Sequence, residues 1–456
     1  MDNTLQFLTD YATSLTYEKL PQEAVHQVKR RIIDSLGCAM GAYWAEPSKI
    51  ARAYALEAKS KPGATVLGTR HSTTPELAAF ANGSMVRYLD FSDTSMAIEA
   101  GHPSGNIPGV MAAAEYAGAD IRTVITGIVL AYEVQGRFGE TALLRDKGWD
   151  GVTYVAISSA VGAGKALGLT REQMANALAL AATANVALRQ TRVGTLSMWK
   201  GCAEANACRN GVFAALMAGR GLTGPEEAFE GPKGFFKQVT GPIKLPTFGG
   251  NGKPFKVEDA KFKYMPAEYH NQCAVQPAIE LHKALGGKVD DILRVVVETY
   301  DIAVDATADS PDKWNPTTRE TADHSLPYVL AVALIRGSLW LDDFSEEKIK
   351  DPKIRALMQR IEVRRNAEFT KTYPETNCFR IEVITTSGEK HVREVRYAKG
   401  HPKNPMTDQE IEAKFRKLAE PVLKSSRIKQ ILERLWHLEE ARNLRDVLTL
   451  FLMKRI

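Results

Sequence analysis

A chain of 456 residues with 59 basic against 54 acidic side chains carries a net charge of only +5. That balance gives no electrostatic case for nucleic-acid binding. A hydrophobic content of 44% and a charged content of 25% are those of an ordinary soluble globular protein, and the length predicts two or three domains with an ample core.

The five cysteines, Cys38, Cys202, Cys208, Cys273 and Cys378, are scattered and contain no CxxC pair. A disulfide framework, a zinc ribbon and simple iron–sulfur ligation are therefore not expected, and a reducing cytoplasmic setting is. The N-terminal MDNTLQFLTDYATSL lacks the basic n-region and apolar core of a signal peptide. No apolar run reaches the ~20 residues that a membrane-spanning helix needs.

From Thr4 to about Phe262 the pattern is helical. Over 22–42, Val25, Val28, Ile32, Ile33 and Leu36 recur on one helical face. Residues 75–86, 107–117, 153–167, 171–186 and 202–219 are rich in Ala, Gly and Ser, which predicts a multi-helix bundle with close, small-residue seams. Gly118, Gly168 and Gly221 mark helix ends, and Thr170 with Gln173 reads as a capping box. Residues 231–256 are dense in Gly and Pro and read as an irregular connection. Within them Gly249-Gly250-Asn251-Gly252-Lys253 lacks the spacing of a phosphate loop.

After about Ala267 the pattern changes to strands. Residues 292–300, 360–367, 379–386 and 391–397 alternate apolar and polar side chains with many β-branched ones, which predicts a largely antiparallel sheet. Helices are expected at 325–336 and about 345–359. Thr407 and Glu410 form a second capping box, and helices return at 408–423, 427–438 and 440–452. The expected architecture is mainly α with a smaller α+β domain. It comprises a helical body from 1–266, an inserted α+β lid at 267–400, and C-terminal helices at 401–456 packing back on the body.

Four clusters carry chemistry. The first is the Gly-punctuated loop within 82–106, which gathers Asp90, Asp93, Thr94, Glu99, His102 and Ser104. Carboxylates, a hydroxyl and an imidazole move protons and hold polar ligands. His102 precedes a helix starting near Ile107, capped by Ser104 or Asn106, where free backbone N–H groups favour anions. The alternative is a solvated connection whose polar residues only cap helices. The second cluster is Arg189, Arg192 and Lys200, before and within the first turn of a helix beginning near Ser197. A lysine there opposes the helix dipole, and a bound anion would offset that cost. The two arginines suit carboxylates, although a surface turn with solvated charges has the same spacing. The third is Lys263, Tyr264, His270 and Gln272, at the expected boundary of the two domains, where ligands often bind. The fourth is Arg319–Tyr328, with Ser325 as an N-cap and Asp323 beside His324. Together they suggest a small polycarboxylate ligand. They also suggest proton abstraction beside a carboxylate, which needs a base, an acid and cationic clamps but neither metal nor nicotinamide.

LDFSDT (Leu89–Thr94), GHPSGN (Gly101–Asn106), RQTRVGTLSMWKGCAEANACRNGVFAALMA (Arg189–Ala218), FEGPKGFFK (Phe229–Lys237) and TRETADHSLPYVLAVAL (Thr318–Leu334) resemble the MmgE/PrpD family, and within it the 2-methylcitrate dehydratase branch. The likeness runs over essentially the whole chain. It implies a large helical domain made from both chain ends, a smaller α+β lid, a homodimer and no iron–sulfur cluster. It also implies that Asp90, Thr94, His102, Lys200 and Lys263 line the active site, as the matching positions do in related cis-aconitate decarboxylases. One departure is Gly151 in Gly148-Trp-Asp-Gly151, where relatives often carry His; Asp150 or Tyr154 is the local substitute.

The expected function is a cofactor-independent lyase of propionate catabolism that dehydrates 2-methylcitrate or a related hydroxy-tricarboxylate such as citrate. The expected catalytic residues are Asp90, His102, Lys200 and Lys263, with Thr94, Arg189, Arg192 and Tyr264 binding substrate. The alternatives are decarboxylation of cis-aconitate, epimerisation of an acidic substrate, and a non-catalytic polycarboxylate-binding protein. Neither nucleic acid nor membrane is an expected partner.

Overall fold

The computed structural model describes residues 1–250 and 252–453. Asn251, the centre of the Gly249–Lys253 stretch, and residues 454–456 lie outside the described residues. The chain divides into two compact units. The first comprises Met1–Arg192, Trp199–Ala260 and Thr407–Ile456, and the second Val193–Met198 and Lys261–Met406. Among the described residues no helix is long and apolar enough to cross a membrane.

The first unit is helical apart from two short antiparallel strands, β1 (Ala64–Thr65) and β2 (Ser72–Thr73). Its centre is built from Pro75–Tyr88, Ile107–Ala117, Ile121–Gly139, Thr153–Ala166 and Trp199–Gly219, which pack on one another. Small residues let these helices approach closely. A Cβ added to Gly211 would fall 2.5 Å from the Ala156 carbonyl oxygen, and one on Gly162 would fall 2.8 Å from that of Gly127. The Gln22–Gly41 helix buries the apolar face carrying Val25, Val28, Ile32, Ile33 and Leu36. It packs against Asp408–Ala419, where Phe415 and Leu418 lie over Gly37 and Gly41.

The capping boxes at Thr170 and Thr407 both form. Gly118 and Gly168 adopt the left-handed backbone that ends a helix. The Gly- and Pro-rich 231–256 stretch holds one π-helical turn, Phe236–Thr240. Phe235 there packs with Phe138 and Tyr154, and Phe229, just before the stretch, packs with Phe138 and Phe235.

The second unit holds a four-stranded sheet in the order β4-β3-β5-β6: β3 (Ile292–Thr299), β4 (Ile361–Arg365), β5 (Phe379–Thr385) and β6 (Lys390–Val395). β3 pairs antiparallel with β5, and β5 with β6, whereas β4 runs parallel to β3. In β5 the buried residues alternate as Phe379, Ile381, Val383 and Thr385. Phe379, Ile381 and Val383 share a core with residues of Tyr269–Ala284 and Leu326–Arg336.

Two expected helices are interrupted. In place of 345–359 there are Glu346–Ile349 and Pro352–Met358, because Asp351 caps a new helix with Pro352 in its first turn. In place of 440–452, Asn443 caps the short helix Leu444–Leu448.

Candidate active site

The loop that follows Pro75–Tyr88 is held by its own polar groups. Ser95 and Gly101 exchange backbone hydrogen bonds of 2.8 and 3.1 Å, which closes the loop on itself. Thr94 Oγ1 donates to the Gly101 carbonyl at 3.0 Å. The Asp93 carboxylate accepts from the Ser104 N–H at 3.0 Å and from the Tyr132 hydroxyl at 2.7 Å, and lies 3.7 Å from Arg31. Glu99 accepts the Leu144 N–H at 2.7 Å, and its burial pushes its carboxyl up. Asp93, Glu99 and Ser104 thus shape the loop.

The expected cap at Ser104 or Asn106 does not form. The short 3₁₀ turn Pro103–Asn106 leads into Ile107–Ala117 without a side-chain cap. The Asn106 amide is instead committed inward. It donates to Pro103 O and Gln135 Oε1 and accepts from the Ser158 and Ser159 hydroxyls, all within 2.9 Å.

Asp90, His102 and Lys200 are brought together. Asp90 sits at φ +49°, a left-handed backbone that no other non-glycine described residue adopts. Such strain persists where surrounding structure over-determines it, often at functional sites. Lys200 Nζ lies 3.5 Å from Asp90 Oδ2, and His102 Nε2 lies 3.9 Å from Asp90 Oδ1. Lys200 is the second residue of Trp199–Gly219. Asp90 supplies the anion that offsets a cation at that helix start. His102 Nδ1 is 2.8 Å from the Asp93 carbonyl oxygen. A carbonyl only accepts, so Nδ1 carries the proton and Nε2, the nitrogen towards Asp90, is left as the acceptor. The Asp90 and Lys200 side chains are each 3% exposed, and that of His102 is 24% exposed.

Two further residues belong to this cluster and were not singled out from sequence: Arg87 and Glu204. Arg87 Nε pairs with Glu204 and its Nη1 with Asp90 at 3.1 Å, all three side chains being buried. Burial alone would lower the Arg87 guanidinium, and Glu204 and Asp90 more than offset it. Burial pushes the Glu204 carboxyl up to about 7, with Arg87 and Arg192 opposing that rise and Asp93 adding to it. The available signal was spacing: Glu204 follows Lys200 by four residues on one helix, a same-face separation, and Arg87 stands in the last turn of the helix that ends just before Asp90.

Arg192 Nε pairs with Asp150 at 2.9 Å and Nη1 donates to the Lys200 carbonyl at 3.0 Å, so this residue ties the start of the Lys200 helix to Asp150. Arg189 is partly buried, and burial lowers its guanidinium. At Gly151 an added Cβ would fall 3.0 Å from both Glu99 Oε1 and the Ala100 carbonyl oxygen. A larger residue there requires Glu99 to move. Neither local substitute stands unengaged. Asp150 is held by Arg192, and the Tyr154 hydroxyl, pushed up by burial, points to the Ala142 carbonyl at 3.4 Å.

Lys263 and Tyr264 belong to the second unit. Lys263 is fully buried there and Tyr264 is exposed. Gln272 accepts the Tyr264 and Met265 N–H groups and donates to the Met265 and Ala267 carbonyls, so it braces this segment. His270 hydrogen-bonds Tyr300 through Nδ1. The adjacent Asp323 and His324 do face each other, His324 Nδ1 pairing with the carboxylate.

Residues 6–246 match the model of the MmgE/PrpD N-terminal domain, and residues 265–438 that of the MmgE/PrpD C-terminal domain. The chain belongs to the MmgE/PrpD family. A 2-methylcitrate dehydratase of Escherichia coli K12 is 30% identical over 391 residues, covering 82% of this chain and 79% of that protein. A mitochondrial 2-methylcitrate dehydratase of Yarrowia lipolytica is 30% identical over 396 residues, covering 82% and 74%. A 2-methylcitrate dehydratase of Cupriavidus necator is 29% identical over 401 residues, covering 82% and 79%. Asp90, His102 and Lys200 fall within the first of these matches, and His270, Asp323 and His324 within the second.

Proposed function

We propose that the chain is a hydro-lyase that removes water from 2-methylcitrate to form the corresponding cis-aconitate-type product. Family membership and the names of its relatives support the substrate class. The observation that carries the chemistry is His102, its Nδ1 proton committed to the Asp93 carbonyl and its acceptor Nε2 3.9 Å from Asp90. In this reading His102 Nε2 takes the proton from the carbon next to a substrate carboxylate. The electron pair forms the new double bond, and the hydroxyl leaves with a proton as water. Asp90 balances the charge of the imidazolium so formed, and Lys200 supplies positive charge towards the developing enolate. Arg192 holds the Lys200 helix start in place. The enzyme is expected to act as a homodimer, which light scattering of the purified protein reads directly.

The test is the ultraviolet absorbance of the unsaturated product. Wild-type protein is expected to turn over 2-methylcitrate with or without a chelator. His102→Ala and Asp90→Asn are each expected to lose about 10²–10⁴-fold in kcat. Full activity in His102→Ala removes that residue from the reaction. Loss of wild-type activity on chelation overturns a metal-free mechanism.

A further inference from the structure

Outside the Asp90, His102 and Lys200 trio lies a buried carboxylate with no role so far. The Glu204 side chain is 1% exposed and shares Arg87 with Asp90. Its other oxygen, Oε1, has no hydrogen-bond partner among the described residues. An orphaned buried carboxylate oxygen costs stability, so a purely structural position would favour a neutral or apolar side chain.

The site also fixes where Glu204 sits. A Cβ added to Gly105 would fall 2.6 Å from the Glu204 carboxyl carbon, so the backbone presses directly on the carboxylate. The Gly105 N–H donates to the His102 carbonyl at 2.9 Å, so one turn carries His102 and confines Glu204.

The charges can be counted within this unit. Glu204 faces Arg87, with Arg192 and Asp93 acting on it through space. Asp90 faces Arg87, Lys200 and His102, and His102 also faces the Asp93 carbonyl. With Glu204 ionised, two cations and two carboxylates balance. Without it, Arg87 and Lys200 both fall on Asp90, and the cluster beside His102 has a net positive charge. An imidazole next to net positive charge is a weaker base.

We propose that Glu204 is a positioning residue that shares the Arg87 guanidinium with Asp90 and so keeps Asp90 able to support His102 as the base. The proposal rests on the reading of His102 given above. It goes beyond that reading by assigning a function to a residue that touches neither His102 nor the reacting atoms.

The experiment compares wild type, Glu204→Gln and Glu204→Asp in the intact protein, with circular dichroism to establish folding. Two quantities are read: the pH profile of kcat with 2-methylcitrate, and the His102 ring titration by NMR, assigned by its loss in His102→Gln. For Glu204→Gln, the His102 titration and the acid limb are expected to move down, by at most the ~1 pH unit that one unit charge exerts through an effective dielectric near 20, because the Glu204 carboxyl, raised to about 7, is only partly ionised where His102 titrates. Plateau kcat should fall severalfold with KM nearly unchanged, and Glu204→Asp should restore the wild-type limb. A folded Glu204→Gln protein whose His102 titration is unmoved overturns the proposal. If Glu204→Gln does not fold, Gly105→Ala displaces the same carboxylate and should lower the His102 titration, and an unmoved titration there overturns the proposal equally. Because the ring titration is read without turnover, a protein inactive on 2-methylcitrate would defeat the functional reading while leaving this inference decidable.

Discussion

Asp90 adopts a left-handed backbone while Arg87, Lys200 and His102 converge on its carboxylate, so at the residue scale the site is one dense knot of charge. Such a knot makes stability depend on pH in a direction fixed by each group. For Glu204 the folded carboxyl is raised by burial to about 7 from an ordinary 4.5, with Arg87 opposing the rise. Folding therefore favours its protonated form. Its contribution is fully present below about pH 4.5 and is lost as pH rises through about 7. Urea denaturation at pH 5 and pH 8 should show wild type losing more stability than Glu204→Gln on that rise, by at most about 3 kcal/mol. An equal loss in both proteins would mean Glu204 is ionised throughout. Asp90 and His102 were legible as one group in a Gly-rich loop, and Lys200 as a separate one at a helix start, where polar residues have few structural reasons to gather; that the three belong together was implied only by the family resemblance. Arg87 and Glu204 were not, because charged residues inside helices ordinarily read as solvated faces. Only the fold reveals that these two point inward.

At the scale of elements, composition foretold how the helices pack better than where they end. The Ala-, Gly- and Ser-rich stretches promised close approach, and Thr153–Ala166 and Trp199–Gly219 meet with Gly211 against the Ala156 carbonyl. Gly211→Ala would drive a Cβ to 2.5 Å from that oxygen and 2.7 Å from Ser159 Cβ. Neither is the far end of a flexible chain, so the helices must separate, at a cost of about 1–3 kcal/mol. Since Trp199–Gly219 also carries Lys200 and Glu204, the same variant should lower kcat, and the denaturation midpoint and turnover are expected to fall together. The strands were legible from alternation because one face of β5 is buried throughout. The parallel pairing of β4 with β3 was not. Alternation records which face is buried and carries no information on strand direction, which depends on the crossover between the strands. Helix ends failed where a single capping residue, Asp351 or Asn443, began a new helix inside a continuous apolar pattern.

At the scale of the whole molecule, the helical unit draws on both ends of the chain, and the site loop is held from the far end. Lys414 Nζ pairs with Asp34 at 2.6 Å and donates to the Phe91 carbonyl at 2.7 Å, one residue beyond Asp90, while lying 3.8 Å above the centre of the Phe91 ring. The pair is buried, with side chains 4% and 1% exposed. Lys414→Met removes one partner and leaves Asp34 without its cation, a change that typically costs about 3–5 kcal/mol. The Asp90 loop loses an anchor at the same time, so activity should fall more steeply with temperature than in wild type. Deleting residues 407–456 goes further, because it also strips Phe415 and Leu418 from Gly37 and Gly41 and uncovers the apolar face of Gln22–Gly41. The shortened chain is expected to bind a hydrophobic dye, to lose near-ultraviolet circular dichroism and to show no turnover. A deletion variant that stays folded and active would mean that residues 1–406 set the geometry of Asp90 without the C-terminal helices. The buried Lys414–Asp34 pair argues against that, since a lysine is rarely sequestered unless a carboxylate holds it in place.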